Sequence, residues 1–305
     1  MKISLVLSIA VAVVTSSIST LVAAQEGSYD YDILIRSGNV VDGSGSPGYT
    51  ADVGVRDGRI AFVGQIPQDT AKTIIDASGH IVAPGFIDSA NLIDMAYLDY
   101  ADMSITTYPD DRLIAPAFHQ GVTTLVWGES GQLAPSTIRK FQDIFTSGSG
   151  LGVNVAFFVG HIAIRKQVMG MAPRLPTGEE LDEMKALVRE GMTLGALGLS
   201  TPLLVVPARY SDADELVALA KEVASFDGIF NSHFMRHPVR APAESVAEII
   251  DIGRRAEVPI VLQAIRAAGL RNKGLATDII DMINQAHADG IMLVTGQYPY
   301  DGGAA

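Results

Sequence analysis

Four side chains that could do chemistry lie at the ends of short apolar runs in the sequence. Glu129 follows "VTTLVW", His161 follows "VNVAFFV", His233 ends "GIFNSH", and Arg266 follows "VPIVLQA". Imidazole and carboxylate groups are common zinc ligands, and a guanidinium binds a carboxylate through two parallel hydrogen bonds. Two histidines and one carboxylate, His161, His233 and Glu129, therefore stand out as candidate site residues, and the guanidinium of Arg266 could bind a carboxylate.

Each of these residues also has a purely structural interpretation. A lone histidine at a strand end often makes only hydrogen bonds, and Glu129 could accept hydrogen bonds from nearby backbone amides. Arg266 could instead pair with a neighbouring acid, and His161 could serve a pocket, the packing or a supporting hydrogen bond. No Ser-His-Asp order, P-loop or Cys/His cluster offers another mechanism.

Apolar runs separated by amphipathic helical patterns predict parallel strands with crossover helices. The runs cover residues 81–88, 122–127, 153–159, 196–201, 228–233, 258–264 and 290–296. No glycine-rich dinucleotide loop follows the first run, which disfavours a doubly wound sheet. The predicted fold is α/β, an incomplete (β/α)8 barrel of about seven strands, because "GQYPYDGGAA" leaves no residues for an eighth strand. In such a barrel the active site lies at the C-terminal ends of the strands.

The first part of the chain predicts export and a small separate domain. Residues 1–24 have a lysine, a long apolar run and small residues near Ala24, the order of a secretory signal peptide. Polar residues at 15–17 argue against the alternative, an uncleaved membrane anchor, so we expect no stable membrane span after cleavage. Residues 25–82 contain alternating runs and turn dipeptides that predict a small antiparallel β domain. Residues 83–305 would then form the barrel.

Composition narrows the classes of partner. The formal net charge of −12 argues against nucleic acid, whose phosphates attract basic surfaces. The chain has no cysteine, so neither disulfides nor thiolate ligands are available. Its stability must come from packing.

Several segments in unbroken order carry a resemblance to a known family. They are "APGFID" at 83–88, "QGVTTLVWGESG" at 120–131, "GH" at 160–161 with "VMG" at 168–170, "GALGLST" at 195–201, "SH" at 232–233, "RAAG" at 266–269 and "QYPY" at 297–300. Together they resemble the N-acyl-D-amino-acid deacylases of the amidohydrolase superfamily. The resemblance implies a β-sandwich-type domain beside a zinc-bearing barrel that hydrolyses the amide of a small molecule, an N-acyl-D-amino acid.

The resemblance also implies a metal site that this chain has largely lost. The family's His-x-His pair on the first strand falls on Ala90 and Leu92, and its sixth-strand histidine falls on Ala264. Only the fifth-strand histidine is kept, as His233. The family's cysteine falls on Ser130, which Glu129 precedes, so the resemblance leaves His233 and Glu129 as the candidate metal ligands. We therefore expect zinc to bind weakly or not at all.

The remaining implied positions concern the substrate and the catalytic base. A lysine that helps to hold the substrate carboxylate falls on Arg266, a pocket tyrosine falls on Val205, and the catalytic aspartate would lie beyond residue 305. No catalytic residue is assigned, and the expected protein is an exported, catalytically impaired relative of the deacylases. The alternatives are a non-catalytic binding protein for acylated amino acids or other small anions, and a truncated product without function.

Overall fold

The computed structural model describes residues 29–68, 71–91, 93, 114–146, 150–265 and 267–297. The predicted signal peptide, residues 1–24, lies outside the described residues. The chain divides into two compact units between Pro84 and Gly85. Each unit has its own sheet and its own buried apolar cluster.

The first unit is built on one five-stranded sheet. Its strands are β1 (Tyr31–Val40), β2 (Tyr49–Arg56), β3 (Arg59–Gly64), β4 (Ala71–Asp76) and β5 (Ile81–Val82). They pair in the order β3-β2-β1-β4, and β5 also pairs with β1. Leu34 and Val40 are buried on the long central strand β1.

The prediction that this sheet is antiparallel was wrong in part. β1 pairs antiparallel with β2, but it pairs parallel with both β4 and β5. Only Asp57-Gly58 forms a two-residue hairpin, with positive φ at both positions (52° and 70°) as such a turn requires. Ser78-Gly79 instead lies between two strands that follow one another along the same side of β1. Asp57-Gly58 therefore marks a chain reversal, whereas Ser78-Gly79 does not, and the dipeptides did not identify which strands pair.

Asp52 connects three segments of the first unit. Its carboxylate accepts hydrogen bonds from the Arg36 guanidinium (3.0 Å), the Ser37 amide (2.8 Å) and the Ile66 amide (2.9 Å). Burial raises the pKa of Asp52, but the Ile66 and Ser37 amides and the charge of Arg36 outweigh burial. The pKa of this carboxyl therefore lies below its usual value.

The second unit contains seven parallel strands in sequence order. They are β6 (Phe86–Asp88), β7 (Val122–Trp127), β8 (Asn154–Gly160), β9 (Gly198–Pro202), β10 (Ile229–Phe234), β11 (Ile260–Leu262) and β12 (Leu293–Thr295). This curled parallel sheet confirms the predicted incomplete (β/α)8 barrel. The predicted run 81–88 is split, because Ile81–Val82 pairs in the first sheet and Phe86–Asp88 in the second.

Helices connect the barrel strands. They are α1 (Ala115–Phe118), α2 (Pro135–Thr146), α3 (His161–Met169), α4 (Gly178–Thr193), α5 (Ala213–Ala224), α6 (Pro242–Ala256) and α7 (Leu275–Ala288). Their apolar faces and one face of the sheet form the main core, which includes Trp127, Leu199 and Phe230. None of the helices within the described ranges is long and apolar enough to cross a bilayer.

The two outer strands of the barrel sheet leave apolar side chains in solvent. Among the described residues, β6 pairs only with β7 and β12 only with β11. Phe86 and Ile87 on β6 are 65% and 68% exposed, and Val294 on β12 is 60% exposed. Unpaired strand edges of this kind favour association with another strand.

Candidate functional site

The barrel strands present alternate residues to two different environments. Phe230 on β10 and Leu262 on β11 belong to the core that packs against the helices. Because side chains alternate along a strand, Asn231, His233 and Gln263 lie on the opposite, inner face of the curled sheet. The candidate site is built on this inner face and at the carboxyl ends of the strands.

Glu129 and His233, the two candidate metal ligands, lie side by side. Nδ1 of His233 is 3.2 Å from Oε2 of Glu129, although β7 and β10 are separated by two other strands. Glu129 is fully buried and His233 is 9% exposed. The two residues therefore lie close together at the carboxyl ends of the barrel strands, where the active site of such a barrel is expected. Their role as metal ligands stays a prediction.

The positions on either side of this pair carry no donor. Ala90 follows β6 and Ala264 follows β11, and a methyl group cannot coordinate a metal. The residues just before them are joined directly, because Nε2 of Gln263 donates to the Ser89 carbonyl at 2.7 Å. An amide–carbonyl hydrogen bond thus links the ends of the first and sixth barrel strands, next to the two positions where the family pattern places histidines.

Two positions of the predicted site, Arg266 and Leu92, lie outside the described residues. Val205, at the position of the family's pocket tyrosine, is 38% exposed. The predicted role of Arg266 in binding a carboxylate therefore stays a prediction.

Zinc does not fit the donors of the described residues. A catalytic zinc site normally has three protein ligands and an open position for water. No group of three or more His, Cys, Asp or Glu side chains that could hold a metal occurs among the described residues. Glu129 and His233 are one ligand short of that set.

His161 takes part in a different arrangement, on the helix side of the sheet. Its Nδ1 contacts the Thr201 hydroxyl and its Nε2 contacts the Glu215 carboxylate, each at 2.8 Å. Arg165, one turn further along α3, pairs with the other oxygen of Glu215 and donates to the Arg174 carbonyl at 2.8 Å. His161 thus makes supporting hydrogen bonds, one of the interpretations open from the sequence.

Glu215 is held as a carboxylate within this network. Burial raises its pKa, but the hydrogen bond and charge of His161, followed by those of Arg165, outweigh burial. The pKa of Glu215 therefore lies below its usual value. His161, Arg165 and Glu215 are each at most 2% exposed, so the network joins α3, α5 and β9 inside the protein.

Sequence reasoning missed three carboxamide side chains near the candidate site. Asn91 donates to the carbonyls of Asp88 (3.0 Å) and Val126 (3.3 Å), which fixes the segment after β6 against β7. Asn231 and Gln263 are 0% and 1% exposed. For Asn231 and Gln263 the available signal was a single amide residue inside an apolar run, "GIFNSH" for the first and "VPIVLQA" for the second.

No protein-family model matches the chain. The chain is 32% identical to D-aminoacylase of Alcaligenes xylosoxydans xylosoxydans in a 302-residue alignment that covers 92% of this chain and 60% of that protein. It is 30% identical to N-acyl-D-glutamate deacylase of the same organism, over 89% of this chain and 57% of that protein. The chain therefore spans about 60% of the length of these relatives.

Solved structures give the same relationship. A crystal structure of D-aminoacylase superposes with a TM-score of 0.77 at 30% identity, covering 88% of this chain and 59% of that one. N-acyl-D-glutamate deacylase from Bordetella bronchiseptica, solved with zinc and a phosphonate inhibitor, gives a TM-score of 0.73 at 29% identity over the same shares. Over most of its length this chain is homologous to the N-acyl-D-amino-acid deacylases of the amidohydrolase superfamily.

Proposed function

We propose that this protein binds N-acyl-D-amino acids, or related small anions, at the carboxyl ends of its barrel strands without hydrolysing them. The observation that carries the proposal is the pair of alanines, Ala90 and Ala264, beside Glu129 and His233. The inner face and the strand ends keep polar side chains for binding. The donors needed to hold a metal-bound water are too few among the described residues.

A loosely held metal would remove the main source of rate acceleration. Where zinc is bound, it would supply the nucleophile in this class of reaction by lowering the pKa of a bound water to about 7. Without it, a neutral water would have to attack an unactivated amide. Ligand sets and bases act as a unit in catalysis, so the two remaining residues are not expected to retain a proportionate share of activity.

A second candidate is a one-metal hydrolase that uses Glu129 and His233. Their separation of 3.2 Å places a carboxylate and an imidazole where both could contact one cation. A study of a D-aminoacylase structure refers to one-metal activation and second-metal attenuation in its binuclear centre. This candidate requires at least one further ligand.

Binding and turnover measured on the same preparation separate the two candidates. Titration calorimetry with N-acetyl-D-leucine and N-acetyl-L-leucine should show binding. The measured affinity should be the same with and without EDTA. Release of free D-leucine, with and without added Zn²⁺, should not exceed a buffer control. Zinc-dependent release that disappears in the His233→Ala variant would establish the hydrolase instead. Absence of binding to either ligand would refute the binding function.

We also propose that the protein is exported, which the order of charged, apolar and small residues in 1–24 supports. Expression of the full chain in a Gram-negative bacterium should give a periplasmic form whose intact mass lacks residues 1–24. A membrane-bound form of full mass would instead establish an uncleaved anchor.

A further inference from the structure

Two buried amide side chains on the inner face have polar atoms that find no hydrogen-bond partner in the part of the chain that the structure describes. Neither Nδ2 nor Oδ1 of Asn231 has a hydrogen-bond partner among the described residues, and Oε1 of Gln263 also lacks one there. A buried polar group left unsatisfied costs about 1–3 kcal/mol. Such groups in native proteins are normally satisfied by protein, ordered water or a ligand.

The two side chains lie close to one another. Asn231 is in register with Val261 on the neighbouring strand β11, and Gln263, two residues after Val261, directly follows that strand on the same face. With strands about 4.8 Å apart and a rise of about 3.3 Å per residue, their Cα atoms are about 8 Å apart. At that separation one small group could contact both side chains.

The hydrogen-bonding character of each side chain is defined. Gln263 already uses its Nε2 to donate to the Ser89 carbonyl, so its free Oε1 can only accept. Asn231 offers both a donor and an acceptor. A secondary amide has one N–H and one carbonyl, and it therefore complements an acceptor at Gln263 and a donor at Asn231.

We propose that Asn231 and Gln263 form a carboxamide subsite that recognises the amide group of an N-acyl amino acid. The ligand N–H donates to Oε1 of Gln263, and the ligand carbonyl accepts from Nδ2 of Asn231. This inference rests on the proposed binding function and adds the group that is recognised. These two hydrogen bonds orient the ligand amide, so its recognition does not need a metal.

An ester analogue tests the subsite directly. The acetyl ester of D-2-hydroxy-4-methylpentanoic acid keeps the carboxylate, side chain and acyl carbonyl of N-acetyl-D-leucine but has no N–H. In calorimetry on the unmodified chain the amide should bind about 10- to 100-fold more tightly, because the ester leaves Oε1 of Gln263 without a donor. Equal affinities would overturn the subsite while leaving the binding function intact. If neither compound binds, the binding function itself fails.

Variants assign each half of the subsite. Gln263→Met should abolish the preference for the amide, and Asn231→Leu should weaken both ligands to the same extent because both have the carbonyl. Gln285→Met, an exposed glutamine on α7 that bonds Asp289, is the matched control and should change neither affinity. A preference for the amide that persists in Gln263→Met would overturn the assignment. The comparison of amide and ester affinities on the unmodified chain tests the subsite by itself. The test therefore remains complete even if a variant does not fold.

Discussion

Removal of the Glu215 carboxylate should strongly destabilise the barrel unit. Glu215 is 2% exposed and is the carboxylate partner of both Arg165 and His161. The Glu215→Gln substitution keeps the size of the side chain but removes its charge, which leaves Arg165 as a buried cation without its counter-ion. Breaking a buried ion pair by removing one partner costs about 3–5 kcal/mol. We expect a loss of that size in the free energy of unfolding.

Urea unfolding followed by tryptophan fluorescence measures this loss. Trp127 is the single tryptophan of the chain, is fully buried, and packs against three phenylalanines of the barrel unit. The matched control is Glu222→Gln on the same helix, α5. Glu222 pairs with Arg189 at 2.8 Å, but the two side chains are 22% and 47% exposed. That substitution should cost no more than about 1 kcal/mol.

Two results would refute the reasoning about this network. One is a Glu215→Gln loss below about 1 kcal/mol, and the other is a loss equal to that of the Glu222→Gln control. Replacing both charges, as in Glu215→Gln with Arg165→Met, should recover much of the stability because no unpaired buried charge remains. A double variant as unstable as Glu215→Gln alone would attribute the loss to packing instead.

Further outcomes concern acid stability, the small domain and the open sheet. Because the pKa of Glu215 is lower in the folded chain, its stabilisation is present above the unfolded value of 4.5 and is lost as pH falls through the folded pKa. The urea midpoint should therefore fall less steeply below pH 4.5 in Glu215→Gln than in the unmodified chain, and parallel slopes would contradict this. The Asp52→Ala substitution leaves a guanidinium and two amides without their acceptor and should cost at least about 2 kcal/mol, seen as faster amide exchange in β1 and β2. Exchange no faster than in Asp42→Ala, a change at an exposed turn, would exclude that role. The Ile87→Thr and Val294→Thr substitutions should raise the soluble monomer fraction in sedimentation, because the unmodified edges favour aggregation; an unchanged fraction would show that these edges are not responsible.

Local patterns predicted those parts of the fold that depend on neighbouring residues. The seven barrel strands follow from apolar runs, because a parallel strand covered by helices is continuously apolar. The start of α4 follows from a capping box, in which Glu180 N donates to Thr177 Oγ1 (3.2 Å) and Thr177 N donates to the Glu180 carboxylate (2.7 Å). The meeting of Glu129 and His233 follows from the common direction of the strands.

Features that depend on distant residues were not predictable in this way. The parallel pairing of β1 with β4 is decided by packing across the small sheet, and local turn dipeptides carry no information on it. The hydrogen bond from Gln263 to Ser89 joins residues 174 positions apart. Asn231 lies within an apolar run and is buried on its strand like its apolar neighbours. Its side-chain amide alone distinguishes it from them in the sequence. Only the position of these residues on the inner face gives them a candidate role.

Zinc stoichiometry tests the central claim, that the family's metal site has been replaced by a hydrogen-bonding site. The unmodified chain should retain substoichiometric zinc after equilibrium dialysis against a weak chelator, measured by elemental analysis. The Ala90→His, Ala264→His double variant adds two imidazoles to Glu129 and His233 and should retain about one zinc per chain. Ala264 has a φ of 51°, a region in which histidine is more common than most residues, so the backbone accepts this change. About one zinc per unmodified chain, lost in His233→Ala, would contradict the account.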